Sequence, residues 1–117
     1  MKSRRVIIIG AGGHAAEIDE YIRHSQRVRG SNDIIIEGFI DDDPESYNSY
    51  RFSAPFLGGL KDHRIIKDGR YIMGIANLKY RRFFIEKFKS EGALFETFIH
   101  CTAYVSESAV IGEGSII

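Results

Sequence analysis

Four stretches of this chain combine residue types that do chemistry with positions that a fold could bring together. The first is Gly10-Ala11-Gly12-Gly13-His14-Ala15, which fits the pattern G-x-G-x-x-G/A. Glycines there allow a tight turn and let ligand atoms approach the backbone. A helix that starts at such a turn offers unpaired N–H groups and a positive dipole end, worth about 0.3–2 kcal/mol to an anion. The second is the pair Asp41 and Asp42, whose carboxylates can accept hydrogen bonds from ribose hydroxyls or a base N–H. Asp41 lies 29 positions past Gly12. The dinucleotide fingerprint puts its acid about twenty past the glycines, so the spacing suits a general nucleotide site better than NAD. The third is Gly74-Ile75-Ala76-Asn77, with Arg81 and Arg82 one turn further on and able to reach a phosphate bidentately. The fourth is His14 itself, which at a glycine turn can donate to a phosphate or sugar, or move a proton. Each has a plainer alternative: a close strand–helix turn, a solvated strand end, surface charge, a polar helix start.

The elements around these residues would place them on one edge. Val6 to Ile9 is a β-branched run that suits a strand buried on both faces. The glycine turn follows, then a helix through Ala15–Arg23 with Ile18, Tyr21 and Ile22 at helical spacing. Residues 25–32 are polar, end in Gly30-Ser31-Asn32 and predict a loop. Ile34 to Ile40 is a second strand, stopped by Asp41-Asp42-Asp43-Pro44. Residues 45–56 read as a surface loop, 56–59 as a brief extended piece, and Leu60–Lys67 as a helix ending at Gly69. Tyr71–Ile75 is a third strand. Asn77 caps a helix that buries Phe84, Ile85 and Phe88 and ends at Gly92. Leu94–Phe98 is a fourth strand. Strands alternating with helices predict a parallel sheet with helices on its faces, a small Rossmann-like α/β domain whose ligands sit at the carboxyl ends of the strands.

Composition removes several classes of function. Sixteen basic and sixteen acidic residues cancel, so no broad field attracts nucleic acid or an anionic membrane. The apolar run at 6–9 is too short for a signal h-region or a membrane span. Cys101 has no partner for an internal disulfide, and no Cys/His set has zinc spacing, so no metal site is expected. Cys101 reads as a small buried residue and not as a nucleophile. His24 and His63 fall on expected surface segments, and His100 is read as structural. A soluble, cytoplasmic chain is the expectation.

The last nineteen residues keep a different time. Ile99, Val105, Ile111 and Ile117 recur every six residues, and Ala103, Ala109 and Ser115 share that beat. A left-handed parallel β-helix has this period, one inward aliphatic per side of a triangular coil. The pattern is still running at Ile117, which predicts a front domain over 1–98 and the first coil of a hexapeptide-repeat β-helix over 99–117, in a piece of a longer protein.

In order, these motifs resemble those of the bacterial sugar O- and N-acyltransferases grouped with the sialic acid O-acetyltransferase and the UDP-4-amino-sugar N-acetyltransferase. The likeness runs from Ile7 to His14, through Phe39 to Asp42 and Gly74 to Arg81, to His100-Cys101-Thr102-Ala103 and Val110 to Gly114. It implies that the front domain binds a UDP-sugar or related nucleotide-sugar, with uracil and ribose near Asp41 and Asp42. The phosphates would lie near Gly10, Ala11, Gly12 and Gly13, with His14 toward the sugar. Gly74, Ile75, Ala76, Asn77 and Arg81 complete the expected binding set. It also implies a homotrimer and acetyl-CoA bound between coils in the whole protein. The family's catalytic histidine lies on a later coil, so no catalytic residue and no acetyl-CoA site is assigned here. The third acid, Asp43, leaves open which carboxylate faces the ligand. Two rivals stand beside this reading: a non-catalytic nucleotide-binding or regulatory module, for which residues 99–117 would be helical or disordered, and a small NAD-dependent oxidoreductase.

Overall fold

A computed structural model describes residues 3–30 and 33–117. The chain builds one five-stranded parallel sheet in the order β3-β2-β1-β4-β5. The strands are β1 (Arg4–Ile9), β2 (Ile34–Ile40), β3 (Phe56–Gly58), β4 (Arg70–Met73) and β5 (Leu94–Phe95), with helices α1 (Gly13–Arg29), α2 (Pro44–Asn48) and α3 (Leu78–Ser90). The chain first adds strands to one side of β1 and then returns to add β4 and β5 on the other. The direction therefore reverses between β1 and β4, the switch point at which open parallel sheets form a crevice.

Alternation along the central strands makes the two layers. Val6 and Ile8 of β1 and Ile72 of β4 face α1, where they meet Ala15, Ile18 and Ile22. Ile7, Ile9, Tyr71 and Met73 face the other way and meet Phe88, Phe95 and Leu60. Period-two side chains on a strand covered on both faces give the continuous apolar run seen in sequence. At the amino ends of the strands, the buried Glu96 carboxylate pairs with Arg4 of β1 and Arg70 of β4, which ties the β5 end into the sheet.

Five sequence expectations change. Helix α1 runs to Arg29, through much of the stretch expected to be a loop; Ser25 is buried on its inner face, and Gly30 in the left-handed conformation (φ 65°) ends it. Ser31 and Asn32 of that expected loop lie outside the described residues. The stretch 45–56 contains α2, started by Pro44 and by the Asp43 side chain, which accepts from Glu45 N. Leu60–Lys67 is a series of turns and not a helix. Its amides go elsewhere: Lys61 N donates to Asp42 Oδ1 and Ile66 N to Tyr71 Oη. The fourth expected strand shrinks to Leu94–Phe95, and the brief extended piece at 56–58 becomes the fifth strand of the sheet.

After β5 the chain makes one coil with three corners. Ala103 N donates to His100 O, Ala109 N to Ser106 O and Ser115 N to Gly112 O, so the small-residue beat marks the corners. Ile116 then pairs in parallel with Phe98, eighteen positions earlier, and Ile117 N and His100 N extend the ladder. Val105 and Ile111 are half-buried, whereas Ile99 and Ile117 are 38% and 43% exposed, as expected where nothing stacks on the coil. Stacked coils, which a β-helix requires, are not in this chain.

His63, expected on the surface, is half-buried. Its ring stacks on Phe88 and its Nε2 lies 2.8 Å from Tyr71 Oη. Burial against this apolar layer lowers the His63 pKa. The folded chain binds that proton less readily than the unfolded chain. The resulting stability is complete above the ordinary histidine range near about pH 6.5 and is lost as pH falls through the lowered folded value. The thermal midpoint should fall between pH 7.5 and pH 5, and His63→Gln should flatten that fall; equal slopes for both proteins would refute the assignment.

Candidate functional site

The glycine turn stands at the switch point and is held there by backbone bonds. Gly10 N donates to Ile40 O at 2.6 Å, and Gly74 N donates to Ile9 O at 2.8 Å. The carboxyl ends of β2, β1 and β4 are thus joined side by side. Asp41 completes the joint. Its Oδ2 accepts from Ala11 N and its Oδ1 from Asp43 N, both at 2.8 Å. Asp41 therefore fastens the glycine turn to the end of β2 with each of its oxygens. Asp42 accepts from Lys61 N through Oδ1 alone, and its exposed side chain lines the adjacent cleft. The structure thus divides the acidic run: Asp41 holds the turn, Asp42 presents an oxygen to the cleft, and Asp43 caps α2.

The glycines also divide. Gly10 is at φ +98°, where a Cβ would lie 2.9 Å from Ile75 Cγ1 and 3.2 Å from Gly74 O. Gly74 has no room either, since a Cβ would lie 2.8 Å from Ile9 O and from Ile8 Cγ2. These two are glycine because strands and turn pack together. Gly12 is different. Its φ of −96° is ordinary for any residue, and a Cβ there would meet nothing within 4 Å. No packing or backbone reason demands glycine at position 12, and what its missing side chain leaves is open space beside the first N–H groups of α1. The α1 N-terminus receives no side-chain cap.

A cleft of about 590 Å³ opens from this edge between β2 and α3. Asp41, Asp42 and Lys61 form its polar side, and Leu60, Ile75, Tyr80, Phe83 and Phe84 its apolar side. Tyr80 and Phe83 are more than half exposed, so the apolar wall is open to a ring-sized group. Asn77 and Arg81, both among the expected site residues, do structural work: Asn77 Oδ1 accepts from Lys79 N and Tyr80 N, and Arg81 donates to Ile75 O at 3.3 Å. Ala76 is exposed at the start of α3. Arg81 also borders a second cleft of about 610 Å³ on the α1 side, with His14, Glu17, Tyr21, His100 and Thr102. There the Glu17 carboxylate raises the pKa of the Tyr21 phenol. His24, expected at the surface, is half-buried with its ring edge-on to His100 at 5.1 Å.

Ten expected residues (Gly10 to His14, Asp41, Asp42, Gly74, Ile75 and Arg81) form the switch-point turns or line the two clefts beside them, whereas Ala76 and Asn77 line neither cleft. Sequence reading missed Leu60, Lys61, Tyr80 and Phe83. The spacing of Tyr80, Phe83 and Phe84 on one helical stripe carries that signal, but such a stripe reads equally as core. Among the described residues no group of three or more His, Cys, Asp or Glu could hold a metal ion, and no helix is long and apolar enough to cross a membrane.

Sheet order, flanking helices and the switch-point turn define a Rossmann-like α/β domain. Residues 5–88 match the family model described as the PglD N-terminal domain. Over 116 residues the chain is 29% identical to a UDP-N-acetylbacillosamine N-acetyltransferase of Bacillus subtilis (strain 168), covering 97% of this chain and 51% of that protein. The chain belongs to the PglD N-terminal domain family and spans about half the length of the curated relative it matches.

The division of the glycines is testable. Gly74→Ala should cost about 1–3 kcal/mol by overpacking against Ile9 O, whereas Gly12→Ala should cost under about 1 kcal/mol, the difference between glycine and alanine at an N-cap. Urea unfolding of both variants checks this, and a Gly12→Ala loss as large as that of Gly74→Ala would show that Gly12 is a packing glycine.

Proposed function

We propose that residues 1–98 are the nucleotide-sugar-binding front domain of an acetyl-CoA-dependent sugar N-acetyltransferase, with UDP as the nucleotide. The observation that carries this is a glycine turn at the switch point, open at Gly12, beside a half-apolar cleft that presents Asp42. A pyrimidine base fits between Ile75 and the Tyr80–Phe83 wall, with the free oxygen of Asp42 accepting from the base N–H or a ribose hydroxyl. The diphosphate lies on the turn, where the uncapped amides of α1 face it. His14, on the second cleft, then points toward the sugar, and Arg81 flanks the same path.

The amine as acceptor follows the name of the Bacillus subtilis relative. In the proposed reaction the amine nitrogen attacks the thioester carbonyl, the carbon–sulfur bond breaks, and a base takes the amine proton and passes it to the departing sulfur, so that CoA leaves as its thiol. This chain supplies binding and orientation for that step and no catalytic base. Acetyl-CoA, the base and the trimer contacts belong to the rest of the protein, which residues 99–117 begin as the first coil of a left-handed β-helix. That these residues form a three-cornered coil, neither helical nor irregular, favours this reading over a free-standing regulatory module.

Calorimetric titration with UDP and a UDP-sugar tests the proposal. Binding between about 1 μM and 1 mM is expected, with NAD giving no heat; the absence of UDP binding at millimolar ligand, a regime of about −4 kcal/mol, would contradict it.

A further inference from the structure

The loop after α2 carries an aromatic residue to the glycine turn. A methyl group placed on Gly13 would lie 3.2 Å from Tyr50 Oη and 3.8 Å from Tyr50 Cζ, so the phenol stands against the turn itself. Tyr50 is 47% exposed, and among the described residues its hydroxyl makes no hydrogen bond. The side chains next to it are fastened down. Phe52 packs on Phe39 and stacks on Tyr47, whose hydroxyl donates to Ala54 O at 2.7 Å. Ser53 donates through both N and Oγ to the carboxylate of Asp19, which is fully buried on α1.

A buried carboxylate is costly unless its oxygens are satisfied, and here the residue that satisfies both is Ser53. Arg23 adds a weaker contact at 3.6 Å. The loop is thus clamped to α1 by a buried charge a turn and a half from Gly13, and the clamp leaves one donor hydroxyl unspent beside the open amides. Nothing in the packing of Tyr50 requires that hydroxyl.

We infer that Tyr50 is a phosphate-contacting residue of the site proposed above: its hydroxyl donates to a diphosphate oxygen seated on the glycine turn, and Asp19 and Ser53 are the positioning residues that hold it there. The inference rests on the nucleotide-sugar reading. Tyr50→Phe removes only the unspent hydroxyl, so the thermal midpoint stays unchanged. A donor to an anionic oxygen is worth a loss of about tenfold in affinity. UDP should therefore bind Tyr50→Phe about tenfold more weakly than the parent chain. Uridine, which has no phosphate and is titrated by amide chemical shifts, should bind both proteins equally. Unchanged UDP affinity in Tyr50→Phe would overturn the role of the hydroxyl. An equal loss for uridine and UDP would overturn the phosphate assignment and place Tyr50 on the base. Failure of the parent chain to bind UDP would overturn the nucleotide reading and this inference with it.

Discussion

The carboxylate of Asp41 is the constraint on which the binding edge depends. Two parallel strands can end side by side without their loops having any fixed relation. Here one oxygen of Asp41 takes the amide of Ala11 and the other takes the amide of Asp43, so the turn after β1 and the turn after β2 become one unit. Charge-assisted hydrogen bonds of this kind are stronger than those between neutral groups. Gly10 and Gly74 add the second half of the constraint, because β1 and β4 approach each other there too closely for any side chain. The edge that results is rigid on its sheet side and open at Gly12, a combination suited to binding a ligand with little reorganisation.

Around that joint the molecule is layered simply. The apolar run of β1 feeds both cores, α1 covers one and α3 the other, and a single coil leaves the end of the sheet. The coil is fastened to the front domain by the Phe98–Ile116 pairing, the contact of Cys101 N with Ser25 Oγ and the exposed ion pair of Lys89 with Glu113. Of these the ion pair contributes little in water, and Phe98, buried among α1 residues, contributes most. Front domain and coil therefore share a core at Phe98, where the expected boundary falls.

Much of this was legible in the sequence. Val6–Ile9, the glycine pattern, Ile34–Ile40 and Asn77 as a cap each carry a local signal, and each stands where its signal puts it. The misread segments share a cause. Residues 25–29 look like a loop by polarity, yet Ser25 continues the buried stripe that Ala15, Ile18 and Ile22 form on α1. Leu60–Lys67 has helical spacing, but two of its amides are claimed by side chains outside it, Asp42 after β2 and Tyr71 of β4, and such bonds override a weak local preference. His63 was invisible for the same reason, since its partners Tyr71 and Phe88 lie on other elements. The division of labour among Asp41, Asp42 and Asp43 lies wholly beyond sequence: three adjacent carboxylates are alike until the backbone decides which amides each one meets.

The most direct measurement is an amide-resolved NMR titration of this chain with UDP. The account requires the largest shifts at Ala11, Gly12, Gly13 and His14, at Asp42, and along the start of α3 at Lys79 and Tyr80, with the far end of the sheet around Arg4, Arg70 and Glu96 unmoved. Shifts that cluster at that far end, or an unchanged spectrum at millimolar UDP, would contradict it.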